Sequence, residues 1–397
     1  MSDRERLLRA ALRAARAGDE GAAEERAWRV VAAASTAGVP ARRRGHRRRA
    51  LQVGLALALV ALVVSPAGAS VRHWVADRIE PGVPHARPVL SSLPGDGSLL
   101  VDSPQGSWVV RPDGAKHSLG DWSEASWSPH GLFAVVTKGH EVAAVTPGGT
   151  VRWALTRPGR VGKARWNGPD GYRIAYLSGD RLRVVSGAGT DDRGIARGVA
   201  WVAPAWKPGP GHVVAYATDR RTVRAVGADS GRAAFEAGGK GAGGKRAVIS
   251  LQWADGELFV TRADAIQALD AAGRPTWTWA APPGTSIRSA AAAPRDHRVA
   301  VVLHAGRAGQ TSSLVLLARG RHRKVLFSGP GRFAPPRWSP DARWLLLPWP
   351  TADQWLFLHP GSGAEKLHAV ANVAEQFSPG APPGARFPSV AGWSHSR

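Results

Sequence analysis

There is no cysteine in the 397-residue chain, which excludes a disulfide framework, a Cys-ligated zinc or iron–sulfur centre and a thiol nucleophile. That absence suits an oxidising and a reducing compartment alike. The 13 histidines show no His-Glu-x-x-His or other closely paired spacing, so the sequence supports no metal site. His130, His212 and His395 fall in or near a repeated turn and read as turn or surface residues. No Gly-x-Ser-x-Gly nucleophile elbow occurs. The nearest approach to a phosphate-binding loop, Gly239-Lys240-Gly241-Ala242-Gly243-Gly244-Lys245-Arg246, matches only as far as Gly-x4-Gly-Lys. Arg246 stands where a Ser or Thr holds magnesium, and Ala247–Trp253 reads as a strand where a helix has to begin. A flexible insertion is expected there. No catalytic, cofactor-binding or metal-ligating residue is assigned, and the chain is expected not to be an enzyme.

Lysine is scarce, with eight among 53 basic residues, and the accompanying excess of Arg, Ala, Gly and Pro reads as a GC-rich bacterial genome. Acidic residues number 30, which leaves a net charge of +23 and an attraction for anionic partners without choosing among them. The apolar fraction of 44% and the 17 Trp are ample for a core, so wholesale disorder is excluded.

Residues 1–49 carry 13 Arg against six acidic residues and open on a capping-box pattern, Ser2-x-x-Glu5. Leu8, Leu12 and Ala15 share a helical face up to Gly18, and Glu24 to Ala34 repeats the pattern until Gly38 and Pro40 break it. These helices are expected to be solvated, to lie on a membrane surface or to dock a cytoplasmic partner. The basic run Arg42-Arg43-Arg44-Gly45-His46-Arg47-Arg48-Arg49 leads into Ala50–Val71, 22 residues without a charge. That length crosses a bilayer of about 30 Å as a helix. The Arg cluster ahead of it predicts a cytoplasmic N-terminus and an exported remainder. A cleaved signal peptide is the competing reading, because Ala67-Gly68-Ala69 resembles a cleavage site; 49 preceding residues are long for a signal n-region. Residues 72–96, with Pro81, Pro84, Pro88 and Pro94, are expected to form a semi-rigid stalk.

From Gly97 onward short apolar runs alternate with Gly, Pro and Asp, as consecutive antiparallel strands do. The runs are organised by a repeat. Ala125-Ser126-Trp127-Ser128-Pro129-His130-Gly131 recurs around Trp166, Trp206, Trp253 and Trp338, as Gly392-Trp393-Ser394-His395 at the end, and in degenerate form as Ala292-Ala293-Pro294-Arg295-Asp296. Intervals of 39 to 55 residues are those of four-stranded propeller blades. Each anchor is followed by runs such as Leu132–Thr137 and Val142–Val145. Leu99–Asp102, Ser107–Arg111 and Lys116–Leu119 have no anchor before them, and Ser389–Trp393 is an anchor with no strands after it. Joined, they complete a blade and leave no open edge. The expected fold is an all-β, seven-bladed propeller over 97–397, with six or eight blades left open by the degenerate copy and the long last interval.

Asp96, Asp121, Asp170, Asp255 and Asp341 fall in loops that would line one face, although turns favour Asp for backbone reasons alone. Arg337-Trp338, Arg343-Trp344 and Trp349 interleave cation and aromatic as a single-strand or polyanion binder does. Blade packing accounts for the Trp period better, and export argues against a nucleic-acid partner.

The Trp-Ser-Pro-Asp/His-Gly anchor resembles that of TolB-like and WD-repeat-like propellers across roughly residues 97–397. The segments Gly148–Trp153, Asp229–Phe235 and Asp270–Trp277 are similar to the blade-docking motif of pyrroloquinoline-quinone-type propellers, which include non-enzymatic outer-membrane assembly factors. Nothing corresponds to a quinone or calcium site, and the Asp-box of sialidase-type propellers is not matched. The layout of charged N-terminal region, membrane helix and exported domain resembles bacterial transmembrane anti-sigma factors, without the zinc motif. What these resemblances imply is a binding or sensing module in the cell membrane, with an envelope hydrolase or lyase using the central channel as the alternative.

Overall fold

The computed structural model describes residues 90–168, 172–218, 221–238, 246–306, 310–319, 322–361, 366–382 and 384–394. The chain divides into Met1–Ser65 and Pro66–Arg397, and every described residue belongs to the second unit. The helices expected in 1–49, the apolar segment 50–71, most of the stalk, the loop Gly239–Lys245, Asp170 and His395 lie outside the described residues. Among the described residues no helix is long and apolar enough to cross a membrane, which says nothing of crossing by strands.

The apolar runs form strands in seven four-stranded antiparallel sheets. Blade 1 contains β1 (Leu99–Ser103), β2 (Gly106–Val110) and β3 (Lys116–Gly120). Blade 2 is β4–β7 (Glu124–Trp127, Ala134–Lys138, Glu141–Val145, Val151–Thr156), and blade 3 is β8–β11 (Val161–Trp166, Arg173–Ser178, Arg181–Ser186, Arg193–Ala196). Blade 4 is β12–β15 (Ala205–Trp206, Val213–Ala217, Val223–Gly227, Ala233–Ala237), and blade 5 is β16–β19 (Val248–Ala254, Glu257–Arg262, Ala265–Leu269, Pro275–Ala280). Blade 6 is β20–β23 (Thr285–Ala292, Arg298–Ala305, Thr311–Ala318, His322–Pro330), and blade 7 is β24–β27 (Arg337–Trp338, Leu345–Trp349, Gln354–His359, Lys366–Ala371). The last strand, β28 (Ser389–Trp393), pairs with β1 and supplies the missing first strand of blade 1. First strands neighbour one another in the order β4, β8, β12, β16, β20, β24, β28 and back to β4, so the ring is closed and the blade number is seven.

Middle strands read as continuous apolar runs because both their faces are packed by neighbouring blades. Ala134–Val136 and Val142–Val145 are at most 1% exposed. Outer strands alternate instead: in Val151–Thr156 and Pro275–Ala280 the even-numbered residues face solvent, while Trp153, Leu155, Trp277 and Trp279 are half-buried. The anchor is a conserved geometry within the chain: the backbone N–H following it donates across the turn in Ser128, Asn167, Lys207, Ser339 and Ser394. Ala293 makes the same bond to Arg298, so Ala292 occupies the anchor position without the indole. Anchor indoles reach into the preceding blade, where Trp206 donates to the Arg165 carbonyl and Trp338 to the Ala291 carbonyl, each at 2.9 Å.

The docking motif is realised on the outside of the ring. Trp153 of blade 2 lies on Gly189 of blade 3 and donates to the Gly187 carbonyl at 2.8 Å, while Phe235 of blade 4 lies on Gly273 of blade 5. A Cβ at Gly189 would sit 2.7 Å from the Trp153 ring, at φ +83°. We therefore expect Gly189→Ala to cost about 2–4 kcal/mol, summing left-handed strain and overpacking. Gly231→Ala, at φ +68° with open space around it, is expected to cost only about 1 kcal/mol. Urea midpoints at unchanged slope measure both; equal costs would mean that the Trp153 contact contributes nothing.

The long last interval is a strap between β27 and β28, beginning with the single-turn helix α1 (Val373–Phe377). Val373 and Phe377 are buried against Trp355 and Trp108, and Ser103 Oγ donates to the Phe377 carbonyl at 3.0 Å. The final stalk residues are fastened too: Leu90 and Leu93 are buried in the same cluster, and Leu93 N donates to Pro112 O at 2.8 Å.

Candidate binding site at the channel mouth

Strand order divides the loops between two faces. First-to-second and third-to-fourth turns lie on one, here the anchor face; second-to-third turns and the connections between blades lie on the other, the mouth face. The anchor-turn aspartates Asp96, Asp255 and Asp341 fall on the anchor face, whereas Asp121 corrects the expectation of a single acidic face. It precedes β4 on the mouth face and pairs with Lys138. The anchor aspartates largely organise their own turns: Asp341 accepts from Arg343 N at 3.0 Å, and Asp296 from Arg298 N at 2.9 Å. Asp255 lies 3.3 Å from His297 Nδ1. His130 is exposed in its turn. His212 pairs with Asp229, which also takes Arg173 at 2.9 Å. Burial opposes the Asp229 charge, but bonds from His212 and Arg173 hold it below the usual carboxylate range. Among the described residues no cluster of His, Asp and Glu is arranged to hold a metal ion.

The interleaved Arg and Trp residues separate in the fold. Trp338 is buried between blades with the Arg298 guanidinium 4.8 Å above its ring. Trp344 packs on His359 and His368, and Trp349 on Phe327 and Phe333. None of these indoles forms a stacking platform with its neighbouring arginine. Arg337, in contrast, belongs to the channel.

The residue before each anchor, read around the ring, is Gly392, Ser126, Arg165, Ala205, Gln252, Ala291 and Arg337. Gln252 is committed to the blade beyond it, its amide exchanging bonds with Ala292 N at 2.9 Å and Ala292 O at 3.1 Å. The two arginines come from blades 3 and 7, remain partly exposed, and meet otherwise small side chains at this level. Arg337 donates Nε to Val390 O at 3.0 Å and Nη1 to Pro336 O at 3.3 Å. Arg165 donates Nη1 to Ala164 O at 2.7 Å. Neither forms an ion pair with a described residue. Burial, and then the charge of Arg165, push Arg337 down to about 10 against a smaller opposing pull from Asp102. Burial likewise lowers Arg165, with Glu124 and Asp102 working against it.

The carboxylates near the axis are already matched. Glu124 opens β4 and takes Lys163 twice, Nζ at 2.7 Å and the backbone N–H at 2.9 Å. Lys163 achieves this from a β-bulge in β8 at φ +59°, where a non-glycine residue stores strain of about 1–3 kcal/mol. Burial opposes the Glu124 charge, but Lys163 and Arg165 hold its carboxyl below the usual range. Asp102 accepts from Ser107 Oγ at 2.7 Å and from Ala125 N at 3.3 Å. Its burial outweighs those bonds and the nearby Arg386, raising its carboxyl to about 6, with repulsion from Glu124 adding to the rise. Arg386 is brought here by the strap and donates to Ser123 O at 3.4 Å.

Because the folded Asp102 holds its proton up to about pH 6 and an unfolded one only to about 3.8, its contribution to stability is full below pH 4. It is lost as pH rises through that window, by roughly 3 kcal/mol. Asp102→Asn is expected to remove that fall, so the wild type should lose about 3 kcal/mol more than the variant between pH 4 and 7. Parallel urea-derived stability curves for the two would show that the carboxyl is not raised.

Sequence reasoning assigned no site residue here. Setting the seven anchors in register was the available signal for Arg165 and Arg337, since the position before the anchor otherwise holds Gly, Ala, Ser or Gln. Asp102, Glu124, Lys163 and Arg386 had no such signal, because strands from both ends of the chain assemble them.

Solved structures resemble this chain in fold. A propeller described as KlHsv2 with loop 6CD replaced by a Gly-Ser linker aligns at TM-score 0.52 and 11% identity, over 69% of this chain and 93% of its own. A chain of a mitotic checkpoint complex aligns at TM-score 0.50 and 14% identity, over 74% and 88%. The C-terminal WD40 domain of Sif2 aligns at TM-score 0.49 and 11% identity, over 67% and 79%. At these identities only the fold is shared, and the first two suffice to show it. No family model matches the chain, and neither does any curated protein sequence.

Proposed function

We propose that the chain is a non-enzymatic binding or sensing module that engages a protein or envelope ligand at the channel mouth. Its residues 50–71 would anchor it in a bacterial cell membrane, with the propeller outside the cytoplasm and residues 1–49 reporting inward, as an anti-sigma-like regulator does. The observation that carries the binding reading is the set of cations gathered around the axis, Lys163, Arg165, Arg337 and Arg386, on a closed and rigid ring. The checkpoint-complex neighbour, a propeller chain found within an assembly, is in keeping with it. The membrane part rests on the uncharged run Ala50–Val71 and the Arg cluster before it.

Two measurements test this. A reporter fused after Arg397 is expected to be active only outside the cytoplasm, and the mature chain to retain Met1–Arg49; an N-terminus at Ser70 would replace anchoring with secretion. Residues 1–49 used as bait are expected to capture a sigma factor or another transcription regulator, and a blank would reduce them to an anchor. A second reading, an envelope hydrolase or lyase, is favoured by the raised Asp102 carboxyl beside Glu124. Turnover of any envelope polymer that disappears in Asp102→Asn would select it.

A further inference from the structure

The cations at the mouth exceed what the protein itself neutralises. Glu124 is matched by Lys163 at 2.7 Å, and Asp102 is held by Ser107 and Ala125 with Arg386 nearby. Arg165 and Arg337 are left over, a surplus of two positive charges in a partly desolvated channel. Each spends few of its five N–H donors, and those go only to backbone carbonyls. The ring positions beside them, Ser126 and Ala205 for Arg165, Ala291 and Gly392 for Arg337, are small. Two like charges kept unpaired on a rigid ring are unfavourable until an anion arrives. A planar guanidinium fork also suits the paired oxygens of a phosphoryl group better than a lysine would.

Resting on the binding reading above, we propose that the channel mouth is a site for a phosphate-type dianion, clasped between Arg165 of blade 3 and Arg337 of blade 7. The dianion matches the surplus charge, whereas a single carboxylate leaves one arginine uncompensated. Other candidates carry less. The Asp229 and Asp192 clusters are internally paired, and His297 with Asp255 and Glu257 is an acidic turn cluster without a ligand.

The test is isothermal titration calorimetry on the full chain at pH 8 and fixed ionic strength, with inorganic phosphate, phenyl phosphate and acetate as probes. Saturable one-to-one binding of a phosphate probe is expected, with acetate at least tenfold weaker. Arg165→Gln and Arg337→Gln should each weaken phosphate at least tenfold, and the double variant should abolish it. Arg337→Lys, which keeps the charge and the fold but loses the fork, should fall between. Tighter phenyl phosphate points to a phosphorylated ligand, and equal affinity to free phosphate; both support the site. No saturable binding by the folded wild type, or binding unchanged in the double variant, overturns it. If phosphate binding fails in this way while the wild type still captures a partner, the dianion site fails and the binding module stands.

Discussion

A chain ending at Pro388 is expected to lose its cooperative melt and to self-associate through the edge it bares. Removing β28 strips blade 1 of its first strand, leaves β1 with an unpaired edge, and separates β24 from β4 across an open seam. It also removes Val390, buried at 3% exposure, and the carbonyl that fixes Arg337. The loss is of the order of the whole stability of a domain, roughly 5–15 kcal/mol, and the bared edge invites pairing between molecules. Size-exclusion chromatography and a thermal melt read both effects. A synthetic peptide of residues 386–397 supplied in trans should restore the melt. A truncated chain that elutes as the full chain does, with an unchanged melt, would show that closure contributes little.

The second large effect is expected from Trp355→Ala. Trp355 is fully buried and lies 5.1 Å from Phe377, joining blade 7, blade 1 and the strap in a single cluster with Leu99, Val101 and Val390. Truncation should cost about 3–5 kcal/mol. Trp355→Phe should cost clearly less than the alanine variant, because it keeps an aromatic ring against Phe377 and removes an indole N–H that has no hydrogen-bond partner among the described residues. Urea unfolding of the three proteins decides it. A phenylalanine variant as damaged as the alanine one would shift the explanation from volume to the indole itself.

The repeat made the fold legible. Trp127, Trp166, Trp206, Trp253, Trp338 and Trp393 mark first strands because an indole at that position fills the gap between blades, and a packing need recurring in every blade recurs in sequence. Ser389–Trp393 was readable to the residue, and Val142–Val145 and Leu99–Asp102 to within one, for the same reason. Ala292 weakened the signal, since only its backbone bond, carried through Ala293, retains the anchor. The strap was invisible: α1 is too short for a periodicity and gains its place from Trp355 and Trp108. The channel mouth was legible only in part. Arg337 drew attention through its Trp neighbour, which turned out to face elsewhere, and Arg165 was one arginine among many. Their meaning depends on height along the axis, which emerges only when strands 296 residues apart are brought together.

That separation also governs when the protein can finish folding. Strand β1 emerges first among the strands and must wait for its partner, β28, until nearly the whole propeller has followed. At typical synthesis speeds of 5–20 residues per second, 296 residues occupy roughly 15–60 s. Throughout that time the edge of β1 is bare, so nascent chains are most exposed to mispairing just before completion. A stall late in translation should therefore be far more damaging than one in the first blades, and an exported chain would close its ring only after its last residues had left the translocation channel.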